Sequence, residues 1–166
     1  DKDATQASEF LRIFHLDCGR KYFSVSEIEG IIDQLAENHF THLQLAFGNN
    51  GFRFLLNDMS VKANNKTYGS DDVKNAVTNG NTTYSNGKNT ASTMLSETDM
   101  DTIIAYAKGK DISIIPMLNT PGHMNALVSA MEKLGVGTQR SDSEMSLTSD
   151  AQVEFIKALQ QKYIMY

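Results

Sequence analysis

Apolar positions along this chain switch repeatedly between a run-like and a helical spacing, and each switch marks the boundary of an element. Residues 11 to 16, Leu-Arg-Ile-Phe-His-Leu, are rich in apolar groups and stop at Asp17, which predicts a first buried strand. Ser24 and Glu27 then stand at the Ser-x-x-Glu spacing of a capping box. Behind them Ile28, Ile31, Ile32 and Leu35 follow at i, i+3, i+4 and i+7, so one face of a helix is apolar. Thr41 to Phe47 predicts a second strand with Leu43, Leu45 and Phe47 on one side, closed by the turn-forming run Gly48-Asn49-Asn50-Gly51. Ser96 and Asp99 open another helix with Met100, Ile103, Ile104 and Ala107 on one face. Gly109 ends it between Lys108 and Lys110, whose charges suit a helix C-terminus. Ile112 to Met117 predicts a third strand. Met124, Leu127, Val128 and Met131 describe a helix that Gly135 terminates, and Ser149-Asp-Ala-Gln152 opens a last one bearing Val153, Ile156, Leu159 and Tyr163.

Strand and helix alternating three times is the pattern of a parallel α/β fold, here three βα units. Three strands do not close a barrel of eight, and the last helix runs into Tyr166 without a stop signal. The chain is therefore expected to divide into a lead-in at 1–10 and the leading part of a barrel domain at 11–166. Between Phe52 and Leu95 the periodicity dissolves. Phe52 to Leu56 fits a short strand, after which Asn, Gly, Ser, Thr and Lys dominate. This predicts a long loop at about 57–95, projecting from the end of the second strand as a mobile or extruded excursion. Asn65-Lys-Thr67 and Asn81-Thr-Thr83 match the glycosylation-acceptor pattern, a tripeptide that arises often by chance.

Composition narrows the class. Hydrophobic residues at 40% and charged residues at 21% of 166 indicate a globular domain with a real core. Fifteen basic against twenty acidic side chains leave a net charge of -5 and no basic stripe, which argues against nucleic acid as a partner. No apolar run approaches the roughly 20 residues that span a bilayer. No signal-peptide pattern opens the chain, though a mature secreted protein or an excised domain begins the same way. The single cysteine, Cys18, excludes an internal disulfide and reads as a small buried residue rather than a nucleophile. The histidines, at 15, 39, 42 and 123, form no His-x-x-x-His pair, so neither a metal nor a cofactor is expected.

Candidate chemistry concentrates where strands end, the edge on which such barrels build active sites. Arg20 lies three residues beyond Asp17, across a glycine, and offers planar forked donors to sugar hydroxyls or carboxylates. A structural ion pair with Asp17 explains it equally well. His123 follows Pro121-Gly122 and sits just ahead of a helix, placed to orient or proton-couple a carboxylate; a histidine bonded to backbone is the competing reading. Asn50 and Asn119 are neutral amides at strand ends, able to bind a polar ligand or to satisfy turns. No acidic pair occupies a strand end, where general-acid work would need it, and no phosphate-binding glycine loop is present.

Three segments in order, Leu16-Asp-Cys-Gly-Arg-Lys-Tyr-Phe23, Ile28-Glu-Gly-Ile-Ile-Asp33 and Ile115-Pro-Met-Leu-Asn-Thr-Pro-Gly-His123, resemble the family 20 glycoside hydrolases, the β-N-acetylhexosaminidases. The likeness covers about residues 11 to 165. It is strongest to cell-surface enzymes of Gram-positive bacteria, with their Gly-Asn-Asn-Gly-Phe-Arg-Phe turn and long following loop. The resemblance implies a (β/α)8 barrel of the TIM type, here its first three βα units, in which Arg20 binds hydroxyls of a terminal N-acetylhexosamine, with Asn50 and Asn119 beside it, while His123 supports the proton-donating glutamate. It also implies a secreted or bacterial cell-surface enzyme acting on N-acetylhexosamine-terminated glycans. Family members usually carry Asp-Asp where this chain has Asn49-Asn50, and Asp where it has Asn119. Their mechanism is substrate-assisted, with the acetamido oxygen as nucleophile. The catalytic Asp-Glu pair belongs at the end of a fourth strand, beyond this sequence, so the chain alone is expected to be inactive. It is expected to associate with the rest of the barrel or with itself. Two rivals stand beside this reading: a truncated barrel serving as a non-catalytic carbohydrate-binding or interaction module, and another barrel hydrolase whose acid pair also lies downstream.

Overall fold

The computed structural model describes residues 10–84 and 93–166. In chain order the elements are β1 (Ile13–Asp17), α1 (Val25–Glu37), β2 (His42–Asn49), β3 (Gly51–Phe52), β4 (Val61–Ala63), β5 (Lys66–Tyr68), α2 (Ser70–Tyr84), α3 (Glu97–Gly109), β6 (Ser113–Leu118), α4 (Asn125–Lys133) and α5 (Asp150–Met165). Strand β2 is central. β1 pairs with one side of it in parallel, setting Leu16 opposite Leu45. β6 pairs with the other side, also in parallel, setting Pro116 opposite Leu45. The short β3 doubles back antiparallel on the end of β2. This three-stranded parallel sheet with helical crossovers is the expected partial barrel.

Alternation and register put Phe14, Leu16, Leu43, Leu45, Phe47, Ile114 and Pro116 on one face of the sheet. That face shares a single core with Ile28, Ile32 and Leu35 of α1 and with Met100, Ile103 and Ala107 of α3. Both helices begin as their sequences dictate. Ser24 and Glu27 satisfy each other's backbone N–H groups, and Ser96 and Asp99 do the same. Helix α5 is tied in by Tyr163, whose ring packs among Phe47, Phe52 and Phe54 and whose hydroxyl donates to the Phe54 carbonyl at 2.6 Å. The opposite sheet face carries His15, Asp17, Gln44 and Ala46; His15 Nδ1 and Gln44 Oε1 lie 2.9 Å apart.

Two expectations need correction. The first strand is not buried: Ile13 is 46% and Phe14 39% exposed, because among the described residues β1 has a neighbour on one side only. Nor is the stretch after Leu56 an extruded loop. It holds the β4–β5 hairpin and helix α2, with Met59, Val61, Ala63, Tyr68, Val73, Ala76 and Val77 all buried. Its apolar groups are few and small, but they gather on one side of a hairpin and a helix. Glycine does part of the packing, since a Cβ on Gly80 would overlap the backbone of Ala126 where α2 meets α4. Residues 85 to 92 of that stretch, and 1 to 9 of the lead-in, lie outside the described residues.

Candidate functional site

At the C-terminal ends of β1, β2 and β6 the chain turns three times, and the turns hold one another. Asp17 anchors the first. Its Oδ1 accepts from the backbone N–H of Gly19 at 3.1 Å and of Arg20 at 3.0 Å. Its Oδ2 accepts from Asn49 Nδ2 at 2.8 Å and faces Arg20 Nε at 3.7 Å. Asn49 Oδ1 in turn accepts from Asn119 Nδ2 at 2.9 Å, so a line of polar contacts crosses all three strand ends. Arg20 stands at the solvent end of this line with its side chain 47% exposed. The ion pair with Asp17 and an open guanidinium are therefore both present; neither reading displaces the other.

A second group centres on Asn50, held at a φ of 59°. Its N–H donates to the His123 carbonyl at 2.6 Å, and its own carbonyl accepts from the N–H of Ala126 at 2.8 Å. The side chains meet as well, with His123 Nδ1 3.2 Å from Asn50 Oδ1. An amide oxygen only accepts, so in this arrangement Nδ1 donates and Nε2 is left for another partner. His123 is exposed and has a φ of 53°. The structure thus brings Arg20, Asn50, Asn119 and His123 to one edge: Asn119 joins Arg20 through Asn49 and Asp17, and Asn50 joins His123 directly.

Close backbone packing fixes the two groups together. A side chain on Gly19 would overlap the backbone of Asn49, and one on Gly51 would overlap the Gly19 carbonyl. Arg53, 5% exposed, locks that contact by donating from Nε to the Gly19 carbonyl at 2.8 Å and from Nη1 to the Thr93 carbonyl at 3.0 Å. Asn81 finishes the turn from α2. Its fully buried amide accepts from the Phe52 N–H at 2.7 Å and donates to the Phe52 carbonyl at 2.6 Å. Asn81-Thr-Thr83 is therefore not an open acceptor, whereas Asn65 is exposed. Cys18 is 2% exposed, and burial, with Asp17 beside it, pushes its thiol up to about 12. No group of three or more His, Cys, Asp or Glu among the described residues is arranged to hold a metal ion.

Sequence reasoning identified the rim residues but not their supports. Asp17 appeared only as a possible ion-pair partner, Asn49 as part of a turn and of the Asn-Asn pair that departs from the usual Asp-Asp, Arg53 as part of a motif and Asn81 as part of a tripeptide. The one sequence signal for the supports was their polarity beside residues that had to be buried.

The family model described as "Glycosyl hydrolase family 20, catalytic domain" matches residues 11–166. Among solved structures, the pneumococcal exo-β-D-N-acetylglucosaminidase StrH, an enzyme with tandem GH20 catalytic modules, is 41% identical with a TM-score of 0.87. The match covers 93% of this chain and 38% of that one. The N-acetyl-β-hexosaminidase of Streptomyces plicatus matches at 17% identity and a TM-score of 0.68, covering 93% of this chain and 30% of its own. A GH20 exo-β-N-acetylglucosaminidase from Vibrio harveyi, solved with N-acetylglucosamine, matches at 16% and 0.67 over 93% of this chain and 25% of its own. These last two establish the fold. The chain spans less than two fifths of the length of each of these three structures.

Proposed function

This chain belongs to glycosyl hydrolase family 20, and on that premise we propose that it forms part of a β-N-acetylhexosaminidase, an exo-enzyme releasing terminal β-linked N-acetylhexosamine from glycans. The reaction is retaining and substrate-assisted: the acetamido oxygen of the sugar attacks the anomeric carbon while a carboxylic acid protonates the leaving oxygen. Arg20 donates to hydroxyls of the terminal sugar, with Asn50 and Asn119 beside it. His123 supports the proton donor through Nε2, its Nδ1 being engaged by Asn50. The proton-donating glutamate and the aspartate before it are assigned to a fourth strand end outside these 166 residues. No cofactor enters this scheme.

The observation that carries this reading is Arg20 itself. It is held at the backbone by Asp17 yet half-exposed on the edge where barrel enzymes bind substrate. A guanidinium oriented before ligand arrives gives directional hydrogen bonds at little entropic cost. Exposed Ile13 and Phe14 in β1, with Phe10 and Leu11 just ahead of it, favour completion of the sheet by further strands, from the same polypeptide or another chain. We place the enzyme outside the cell or on a bacterial surface. The resemblance to StrH, a pneumococcal virulence factor, supports this, and no described helix is long and apolar enough to cross a membrane.

The test is kinetic. In the full-length gene product acting on a chromogenic N-acetyl-β-glucosaminide, Arg20→Ala should cost about 2–5 kcal/mol in kcat/KM. An enzyme indifferent to that change would remove the sugar-binding role from Arg20.

A further inference from the structure

We propose that the groove enclosed by the β4–β5 hairpin, α2 and the end of α4 is a second carbohydrate-binding site, suited to a neutral, hydroxyl-rich ligand and separate from the strand-end edge. It encloses about 630 Å³, within the roughly 300–1,000 Å³ usual for ligand sites. Three segments supply its polar wall: Lys66 and Thr67 from β5, Asp72 and Asn75 from α2, and Lys133 from α4. Asp72 and Asn75 are three residues apart and share one face of α2, while Val73 and Val77 are buried on another. Tyr68 and Ala76 also line the groove but are only 6% and 2% exposed, so they form an apolar floor. The polar wall is unspent. Among the described residues Lys66, Lys133 and Asp72 form no ion pair, although opposite charges line one groove. The Thr67 hydroxyl, the Asp72 carboxylate and the Asn75 amide make no hydrogen bond among those residues either. Lys66 is held instead over the Tyr68 ring, its Nζ 4.4 Å from the centroid. Hairpin and helices keep these groups apart and leave their donors and acceptors for a ligand.

That wall selects its ligand by charge. A phosphate or sulfate would gain from Lys66 and Lys133 but meet the Asp72 carboxylate; a cation would gain from Asp72 but meet two ammonium groups. An apolar ligand would strip water from the whole wall and return no hydrogen bond. A sugar hydroxyl both donates and accepts, so neighbouring hydroxyls on one ring serve the ammonium groups and the carboxylate together, and its C–H face lies on the floor. The groove is also remote from the Arg20 edge. Asn81 of the same helix grips Phe52, and Asp72 lies nine residues before it, about 13 Å along α2. A glycan bound here leaves the strand-end edge open, so the site gathers carbohydrate without competing for the sugar held there.

The experiment uses cellotriose, a neutral trimer of β-linked glucose. It lacks the acetamido group, so a substrate-assisted enzyme does not consume it. Its binding is titrated by saturation-transfer NMR on the full-length gene product carrying Arg20→Ala, which removes the Arg20 contact at the strand-end edge. Adding Asp72→Ala and Asn75→Ala should weaken the remaining binding by about tenfold, the loss expected for a hydrogen bond to a charged group. Both residues are exposed, so the melting temperature should hold. With Arg20 intact, the same two substitutions should leave kcat and KM on a chromogenic N-acetyl-β-glucosaminide unchanged. Equal cellotriose binding with and without them overturns the groove. So does binding of inorganic phosphate that Lys133→Ala abolishes, which would make it an anion site. Lost chromogenic turnover would join these residues to the Arg20 edge and overturn their separateness. If Arg20→Ala alone leaves that turnover intact, the reading of Arg20 fails, and the effect of Asp72→Ala and Asn75→Ala on cellotriose still decides the groove.

Discussion

Cys18 and Gly19 sit next to each other at the end of β1 and constrain the corner in different ways. Burial pushes the Cys18 thiol up to about 12, so the folded protein keeps it neutral where an unfolded chain, with a pKa near 8.5, begins to ionise. A raised folded value favours the native state fully below about pH 8.5, and that contribution is lost as pH climbs toward 12. The thiol should therefore resist an alkylating reagent at pH 8 and react once denaturant is added; rapid labelling of native protein would contradict its burial. Gly19→Ala should be harsher than its size suggests. The added methyl meets the Asn49 backbone, which cannot swing aside as a side chain can. The β1–α1 turn has to move, carrying Arg20 with it, so sugar affinity should drop along with the melting temperature.

Two helical glycines should respond to alanine with opposite signs. Gly30 lies inside α1 with open space where a Cβ would go, so Gly30→Ala should stabilise by about 0.5–1 kcal/mol through helix propensity. Gly80→Ala gains the same propensity in α2 but drives a methyl into the carbonyl of Ala126. Overpacking costs about 1–3 kcal/mol even where side chains can yield, so the clash wins and the melting temperature should fall. Helices α1 and α3 are clasped at the surface by Asp33, which accepts from the Tyr106 hydroxyl at 2.8 Å and pairs with Lys110 at 3.1 Å. These partners hold the Asp33 carboxyl below its usual range, so its stabilisation is present above about pH 4 and lost as pH falls further. Asp33→Asn should lower the melting temperature at pH 7 and matter progressively less as pH falls below about 4; an effect that does not shrink in acid would refute the clasp. The elements that could be read from sequence were those whose ends carry local chemistry: the Ser24 and Ser96 boxes, the turn at Gly48 and the apolar faces of α1 and α3. Helix α2 could not be, because Asn, Thr and Gly are poor helix formers and only burial against α4 keeps them helical. The rim residues announced themselves by standing just beyond apolar runs. Asn49 and Arg53 did not, since nothing local says which strand end each will brace.

Across the molecule, among the described residues, the sheet is open at β1 and at β6, and apolar side chains at Ile13, Phe14, Ile164 and Met165 face outward. The 166-residue chain expressed alone should therefore self-associate, with an apparent mass that rises with concentration in sedimentation, and should show no turnover of a chromogenic N-acetyl-β-glucosaminide. Measurable turnover by that chain would overturn the assignment of the proton donor to a strand end outside it. The grip of Asn81 on Phe52 bears on time as well as shape. The turn after β2 waits 29 residues for Asn81, 70 for Asn119 and 73 for His123 before its groups are satisfied. A ribosome adding about 5–20 residues each second leaves that corner unfinished for several seconds after β2 emerges. This edge is thus among the last parts of the segment to take shape during synthesis, and a pause in translation after Asn81 would leave Asp17 and Asn49 in place but without the partners that Asn119 and His123 bring.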